Sequence, residues 1–135
     1  MWYNRVVRDL GEVPNAIDYF NHELETAQDE ARIKGNIEKN AQELSGIMSH
    51  RFGQLQEIEA ILKYINIRYD KMRSDHYRKY LERYNRELTD RSIEKYIDGE
   101  DDIVGMATII NEVSLVRNRD RKSTRLNSSH DQRSR

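Results

Sequence analysis

The chain has 135 residues, and its 23 Lys and Arg nearly balance its 24 Asp and Glu, which gives a net charge of −1. It contains no cysteine, so disulfide-linked scaffolds, thiolate zinc sites and cysteine nucleophiles are excluded. The sequence has no apolar run near the roughly 18 residues of a membrane span and no secretory leader. We therefore expect a cytoplasmic protein without membrane association.

The composition changes abruptly at Asp120. Residues 120–135, called the tail below, hold five Lys and Arg, two Asp, four Ser and one apolar residue, Leu126. Residues 120–130 resemble the translation of a common short-read sequencing adapter, and the alternative is a natural disordered basic tail. We expect a non-native, poorly ordered tail that follows a single C-terminally truncated domain in residues 1–119, whose own net charge is −4.

The first long helix is predicted from apolar residues that recur at spacings of three and four, the period of one helix face. It begins near Pro14 and Asn15, which are typical of helix starts. Gly35 and Asn36 weaken it, and the pattern then resumes up to Ser45 and Gly46, where we predict a turn that reverses the chain. The apolar positions before and after the weak point are Ile17, Phe20, Leu24, Ala27 and Ala31, then Ile37, Ala41 and Leu44.

A second long helix is predicted for residues 54–88, which contain no proline and would span roughly 50 Å. Its apolar positions are Leu55, Ile58, Leu62, Ile65, Tyr69 and Met72, and a shifted stripe continues them through Tyr77, Leu81, Tyr84 and Leu88. We expect the two long helices to pack as an antiparallel hairpin, with Ile17, Phe20 and Leu24 against Ile58, Leu62 and Ile65.

Two further helices complete the predicted fold. Thr89 and Asp90 are suitable caps for a short helix that ends near Gly99. A last helix carries Ile103, Met106, Ile110 and Val113 on one face and is cut off within its pattern. The sequence thus predicts an all-α fold: a long antiparallel helical hairpin followed by a short helix and a truncated last helix.

Basic and tyrosine residues are concentrated in residues 61–96, which hold ten Lys and Arg, six acids and six of the eight tyrosines. Cations neutralise phosphates and tyrosine rings stack on unpaired bases, so this mixture favours single-stranded nucleic acid as a ligand. The alternative is a solvated, ion-paired helix face with the tyrosines in the core. The candidate binding residues are Arg68, Lys71, Arg73, Arg78, Lys79, Arg83 and Arg86.

Signals for catalysis are nearly absent. His22, His50 and His76 form neither a metal-binding helix pair nor a nucleophile and base motif. Carboxylates cluster in residues 98–102, where they would either hold magnesium or complement the positive end of a helix dipole, and the second interpretation is favoured. We expect no enzyme activity, no cofactor and no metal site.

Residues 51–119 resemble the UvsY family, the recombination mediators of large tailed phages. The resemblance is carried by Ile67-Arg68-Tyr69-Asp70 and Ile93-Glu94-Lys95-Tyr96, which an acidic turn and an apolar helix follow in the family's order. The family has a Lys-x-Arg pair in its DNA-binding helix, and here Asn66-Ile67-Arg68 keeps the arginine without the lysine. Lys71 and Arg73 lie one turn later and would compensate.

The resemblance implies an all-helical oligomer that binds single-stranded DNA and helps load a RecA-like recombinase where a single-strand-binding protein would block it. The expected partners are therefore single-stranded DNA, the recombinase, the single-strand-binding protein and further copies of the chain, in the cytoplasm of an infected bacterial cell. The alternative function is a helical interaction or assembly protein of a phage particle, without nucleic-acid binding.

Overall fold

A computed structural model describes the backbone of residues 1–32, 37–83 and 88–133, and the side chains of residues 1–26, 46, 48–83 and 88–122. These residues form helices and no strand, so the predicted all-α class is confirmed. The helices are α1 (Trp2–Arg8), a short 3-10 helix (Leu10–Glu12), α2 (Val13–Arg32), α3 (Ile37–Arg83), α4 (Asp90–Asp98) and α5 (Asp101–Arg133).

Helix α3 is longer at its start than the sequence predicts. It runs for 47 residues, about 70 Å at 1.5 Å per residue. The turn predicted at Ser45 and Gly46 is wrong, because the helix passes through both residues. A glycine in a helix costs only about 1 kcal/mol, which the neighbouring helical turns offset. The weak point at Gly35 and Asn36 and the predicted helical residues 84–87 lie outside the described residues.

The main core joins four helices. Its buried residues come from α1, α2, α3 and α5, and they are Val6; Val13, Ala16 and Phe20; Ile58, Ile61, Leu62 and Ile65; Met106, Val113 and Val116. The predicted stripe of α3 is therefore buried at Ile58, Leu62 and Ile65, whereas Ile17 and Leu24 of α2 are only partly buried. Because α5 packs with both α2 and α3, the antiparallel two-helix hairpin is not confirmed as the organising unit.

The most extensive helix contact joins α3 and α5. His76 of α3 contacts Asp102 near the start of α5, and Glu59 of α3 accepts a hydrogen bond from Arg121 twenty residues or so further along α5. A later position of α3 thus pairs with an earlier position of α5, so the two helices are antiparallel. Helix α4 makes the connection between them.

Helix α4 packs on α3 through a second, smaller core. Ile93, Ile97 and Ile103 are buried there, and the half-buried residues around them are Tyr69, Met72, Tyr77, Tyr80 and Leu88. The predicted stripe through Leu81 is wrong at that position, since Leu81 is 55% exposed. Tyr77 and Leu88 of the predicted stripe pack against this core, Tyr84 lies outside the described residues, and Tyr80, which was not part of the stripe, also packs there.

The predicted cap of the short helix is confirmed. Thr89 is the N-cap of α4, and its side-chain oxygen accepts a hydrogen bond from the backbone N–H of Ser92 at 3.2 Å. Gly99 follows the last residue of the helix, as expected.

Replacing Thr89 by Ala should lower the free energy of unfolding by about 1 kcal/mol, because one backbone donor of the first turn of α4 loses its acceptor. Urea unfolding followed by circular dichroism measures the loss. Thr108→Ala is the matched control, because the Thr108 hydroxyl bonds only to the Val104 carbonyl within α5. A loss as large for Thr108 as for Thr89 would contradict the capping role.

The first part of the tail is ordered, although we expected the whole tail to be poorly ordered. Helix α5 continues through Arg133. Asp120 is buried, at 2% exposure, and Arg121 donates to Glu59 at 2.6 Å. The side chains of residues 123–135 lie outside the described part of the chain. Whether residues 1–119 form the native domain on their own stays a prediction.

Across the described part of the chain, every helix lacks the combination of length and apolar character that crossing a membrane requires.

Candidate nucleic-acid interface

Helix α3 exposes most of the cations that the sequence singles out. Arg68, Lys71, Arg78, Lys79 and Arg83 are all exposed, and they extend over about 22 Å of the helix. Arg86 lies outside the described residues. These five side chains, called the basic face below, are the part of the predicted site that the structure leaves open to solvent.

Acidic side chains interrupt the basic face. Positions 68, 71, 75, 78 and 82 follow one another at spacings of three and four, so Asp75 and Glu82 share a line with Arg68, Lys71 and Arg78. Lys71 Nζ lies 3.9 Å from Asp75 Oδ1, and both side chains are more than half exposed. An exposed pair of this kind contributes only a few tenths of a kcal/mol, so a phosphate competes with it easily.

Arg73 points away from the basic face and binds α4. Its guanidinium donates to Asp98 Oδ1 at 2.7 Å and to the Tyr69 hydroxyl at 3.3 Å, and its carbon lies 5.6 Å from the centre of the Tyr69 ring. The hydrogen bond to Asp98 raises the pKa of Arg73. Arg73 is thus engaged in holding α4 on α3, and a phosphate would have to replace Asp98 to reach it.

The tyrosines of α3 are partly committed to internal contacts. Tyr64 donates to the Val7 carbonyl at 3.4 Å, and Tyr77 donates to Asp90 Oδ1 at 2.6 Å, a bond that raises the pKa of Tyr77. Tyr69 lies beneath Arg73. Tyr84 is outside the described residues. An exposed aromatic ring outside these contacts would suit base stacking better than Tyr64, Tyr69 and Tyr77 do.

Tyr96 of α4 provides such a ring. It is 56% exposed and stacks on Tyr80, with ring centres 5.7 Å apart and planes inclined by 23°. Tyr96 was not among the predicted binding residues, and its spacing of three from the buried Ile93 places it beside the buried face of α4, so the helical pattern alone gave no signal of its exposure.

The acidic cluster is divided among separate partners. Asp98 accepts from Arg73, and Glu100 Oε1 accepts from the Tyr80 hydroxyl at 2.5 Å. Both carboxylate oxygens of Asp102 lie 2.9 Å from His76 Nε2, and Oδ1 also accepts from the Ile103 backbone N–H. The hydrogen bond from His76 lowers the pKa of Asp102. Asp101 and Asp102 lie in the first turn of α5, as the dipole interpretation expects.

Opposite the α4 end of α3, a buried cation joins α2 to α3. Arg51 is 3% exposed, and its Nη1 donates to Glu23 Oε2 at 3.0 Å and to Gln54 Oε1 at 2.8 Å. Burial alone would raise the pKa of Glu23, but the hydrogen bonds from Gln54 and Arg51 lower it. This cation is structural and cannot contact a nucleic acid from its buried position.

Comparison of the chain with known protein families, with curated proteins and with solved structures gave no match.

Proposed function

We propose that the chain is a phage recombination mediator that binds single-stranded DNA and helps load a RecA-like recombinase in the cytoplasm of an infected bacterium. The proposal rests on the resemblance of residues 51–119 to the UvsY family and on one structural observation, the exposed basic face of α3. The recombinase, the single-strand-binding protein and further copies of the chain are the proposed protein partners.

The length and charge of the basic face suit one strand of DNA. Its five cations extend over about 22 Å, long enough to lie along several consecutive phosphates of one strand. The chain as a whole is slightly acidic, with a net charge of −1, so the attraction must be local. Asp75 and Glu82 limit its strength, and we expect binding that is weak for a single chain and very sensitive to salt.

The test is fluorescence anisotropy of a labelled single-stranded oligonucleotide at a series of salt concentrations. The logarithm of the affinity should fall with the logarithm of salt by roughly 0.7 for each phosphate contacted. Replacing Arg68 and Lys71 by Ala should weaken binding and lower the slope by about 1.4, since two contacts are lost. An unchanged slope in this double variant would remove the basic face as the site.

Two controls separate the basic face from other positive charge. Arg5→Ala with Arg8→Ala removes the same charge from exposed positions on α1, and it should leave the slope unchanged. Replacing the five Lys and Arg of the tail by Gln removes charge that resembles adapter sequence, and binding should persist. If the tail variant abolishes binding, the affinity of the chain came from the tail and the proposal fails.

Loading of a recombinase is a separate step and needs its own measurement. On single strands coated with single-strand-binding protein, the chain should shorten the lag before a RecA-type recombinase begins to hydrolyse ATP. The double variant at Arg68 and Lys71 should lose this effect in proportion to its lost DNA affinity.

The alternative, an assembly protein of a phage particle, has an observation of its own. Large apolar side chains are exposed on the outer sides of α3 and α5, and they are Phe52, Ile67, Leu81, Val104 and Leu115. Contact with partner helices would remove these side chains from water. Absence of DNA binding at low salt, together with concentration-dependent association of the chain, would favour this alternative.

A further inference from the structure

Three potential metal ligands meet where α3 crosses the turn between α4 and α5. His76 comes from α3, Glu100 precedes α5, and Asp102 lies in the first turn of α5. One ligand atom from each residue lies within 4.8 Å of the other two. We propose that His76, Glu100 and Asp102 form a binding site for a divalent transition-metal ion, with Zn²⁺ as the expected occupant.

The donor set selects this class of ion. One imidazole nitrogen and two carboxylate oxygens suit Zn²⁺, which binds nitrogen and oxygen at about 2.0–2.2 Å with four ligands in total. Magnesium and calcium prefer oxygen ligands alone, so His76 disfavours them. Water would occupy the fourth position, because Asp102 is half exposed and leaves one side of the site open to solvent.

Neighbouring groups orient both carboxylates. Tyr80 donates its hydroxyl hydrogen to Glu100 Oε1, and the Ile103 N–H donates to Asp102 Oδ1 at 2.9 Å. Hydrogen bonds of this kind fix ligand orientation around protein-bound metals and affect affinity by about 10- to 100-fold. Tyr80 is itself packed against the small core of α4, so it is a positioning residue for Glu100.

A small rearrangement would bring the ligands to metal-binding distances. In a tetrahedral site with bonds of about 2.1 Å, ligand atoms lie roughly 3.4 Å apart. His76 Nε2 and the Asp102 oxygens are now 2.9 Å apart, and the widest separation in the group is at most 4.8 Å. The ion would therefore replace the His76 to Asp102 hydrogen bond, and we expect rotations of the Glu100 and Asp102 side chains to close the remaining gap.

The local charge favours a cation in spite of the nearby helix start. Asp98, Glu100, Asp101 and Asp102 provide four carboxylates within five residues. The opposing positive charges are those of Arg73, which is paired with Asp98, and of the N-terminus of α5, which carries about half a positive charge. The carboxylates outweigh these positive charges. His76 is also 24 and 26 residues away from Glu100 and Asp102, across the α3 to α5 contact, so sequence spacing could not reveal the site.

Titration of the full chain with Zn²⁺ and with Co²⁺ tests the proposal. Isothermal titration should show binding of one Zn²⁺ that raises the thermal midpoint, and no comparable binding of Mg²⁺. Co²⁺ should develop intense visible absorption bands, which report a protein-bound ion of low coordination number. His76→Ala should weaken Zn²⁺ binding at least tenfold and abolish the bands. Tyr80→Phe should weaken binding about tenfold through loss of the hydrogen bond to Glu100.

The matched control is His50→Ala. His50 lies on α3 like His76, and its Nε2 is 3.6 Å from Glu23 Oε2 of α2, so the two residues form a histidine and carboxylate pair remote from the proposed site. The Zn²⁺ affinity of this variant should equal that of the parent chain. If His76→Ala proves to be unfolded, Glu100→Gln provides the same test from the other side of the site. Equal Zn²⁺ affinity in the parent, His76→Ala and Glu100→Gln, or Co²⁺ spectra identical to those of the free ion, would overturn the proposal.

Discussion

Replacing Leu62 by Asp should lower the free energy of unfolding by about 4 kcal/mol or more. Leu62 is only 6% exposed and lies in the main core shared by α1, α2, α3 and α5. The variant loses apolar contacts and places a carboxylate among aliphatic side chains, where it has to stay protonated or distort the packing. Small domains are stable by only about 5–15 kcal/mol, so a large fraction of the stability is removed.

Urea unfolding monitored by far-ultraviolet circular dichroism measures this loss, and the matched control is Ile67→Asp. Ile67 lies on the same helix, five residues away, and is 58% exposed. Its replacement should change the free energy of unfolding by no more than about 0.5 kcal/mol. Equal losses for the two variants would mean that the face of α3 assigned to the core is not buried.

Replacing Asp120 by Asn should stabilise the chain above pH 6 and not below pH 4. Burial raises the pKa of Asp120 from 3.8 to about 6, although the positive charge of Arg51 partly opposes this rise. Between these pH values the folded chain holds a proton that the unfolded chain has lost, so stability falls as pH rises through that window. This rise of about two pKa units lowers the free energy of unfolding above pH 6 by about 3 kcal/mol. Asn has no charge to bury and avoids the loss.

The measurement is the difference in the free energy of unfolding between Asp120→Asn and the parent at pH 4, 5, 6 and 8. It should grow with pH and level off above pH 6. Glu23→Gln should show the opposite pH dependence of stability, because the pKa of Glu23 is lowered and its ionised form stabilises the fold. That variant should lose more stability at neutral pH than in acid. A pH-independent difference at Asp120 would contradict its burial as a charged group.

The helical fold was predictable because the dominant signal is local. Apolar residues at spacings of three and four determine which face of a helix is buried, and Ile58, Leu62 and Ile65 followed this rule. The capping role of Thr89 was equally readable, since a cap depends on residues within one turn. Both features require knowledge of only a few neighbouring residues.

The errors occurred where local preferences were weak. Gly46 was predicted to break the chain, but the flanking turns of α3 carry the helix through it. Leu81 was predicted to be inside and is exposed, because Tyr80 takes the inner position beside α4. How α2, α3 and α5 share the core depends on contacts between distant segments, which periodicity does not specify.

The sequence predicted which cations the candidate interface contains, but not which of them lie on the surface. The sequence identified the cations of α3, yet Arg73 belongs with Asp98, 25 residues away. His76 was expected to be an ordinary histidine, and the fold places it against Asp102, 26 residues away. A linear pattern shows which charges are available, whereas the tertiary contact of α4 and α5 determines which of them remain exposed.

The antiparallel contact of α3 with α5 has a consequence for the order in which the chain folds. His76 and Asp102 are separated by 26 residues, whereas Glu59 and Arg121, farther along the same two helices, are separated by 62. Closing the longer loop first costs about 0.8 kcal/mol more in chain entropy. We therefore expect the contact at α4 to form before the contact at Glu59 and Arg121, and we expect substitutions in the small isoleucine cluster to slow folding more than their effect on stability suggests.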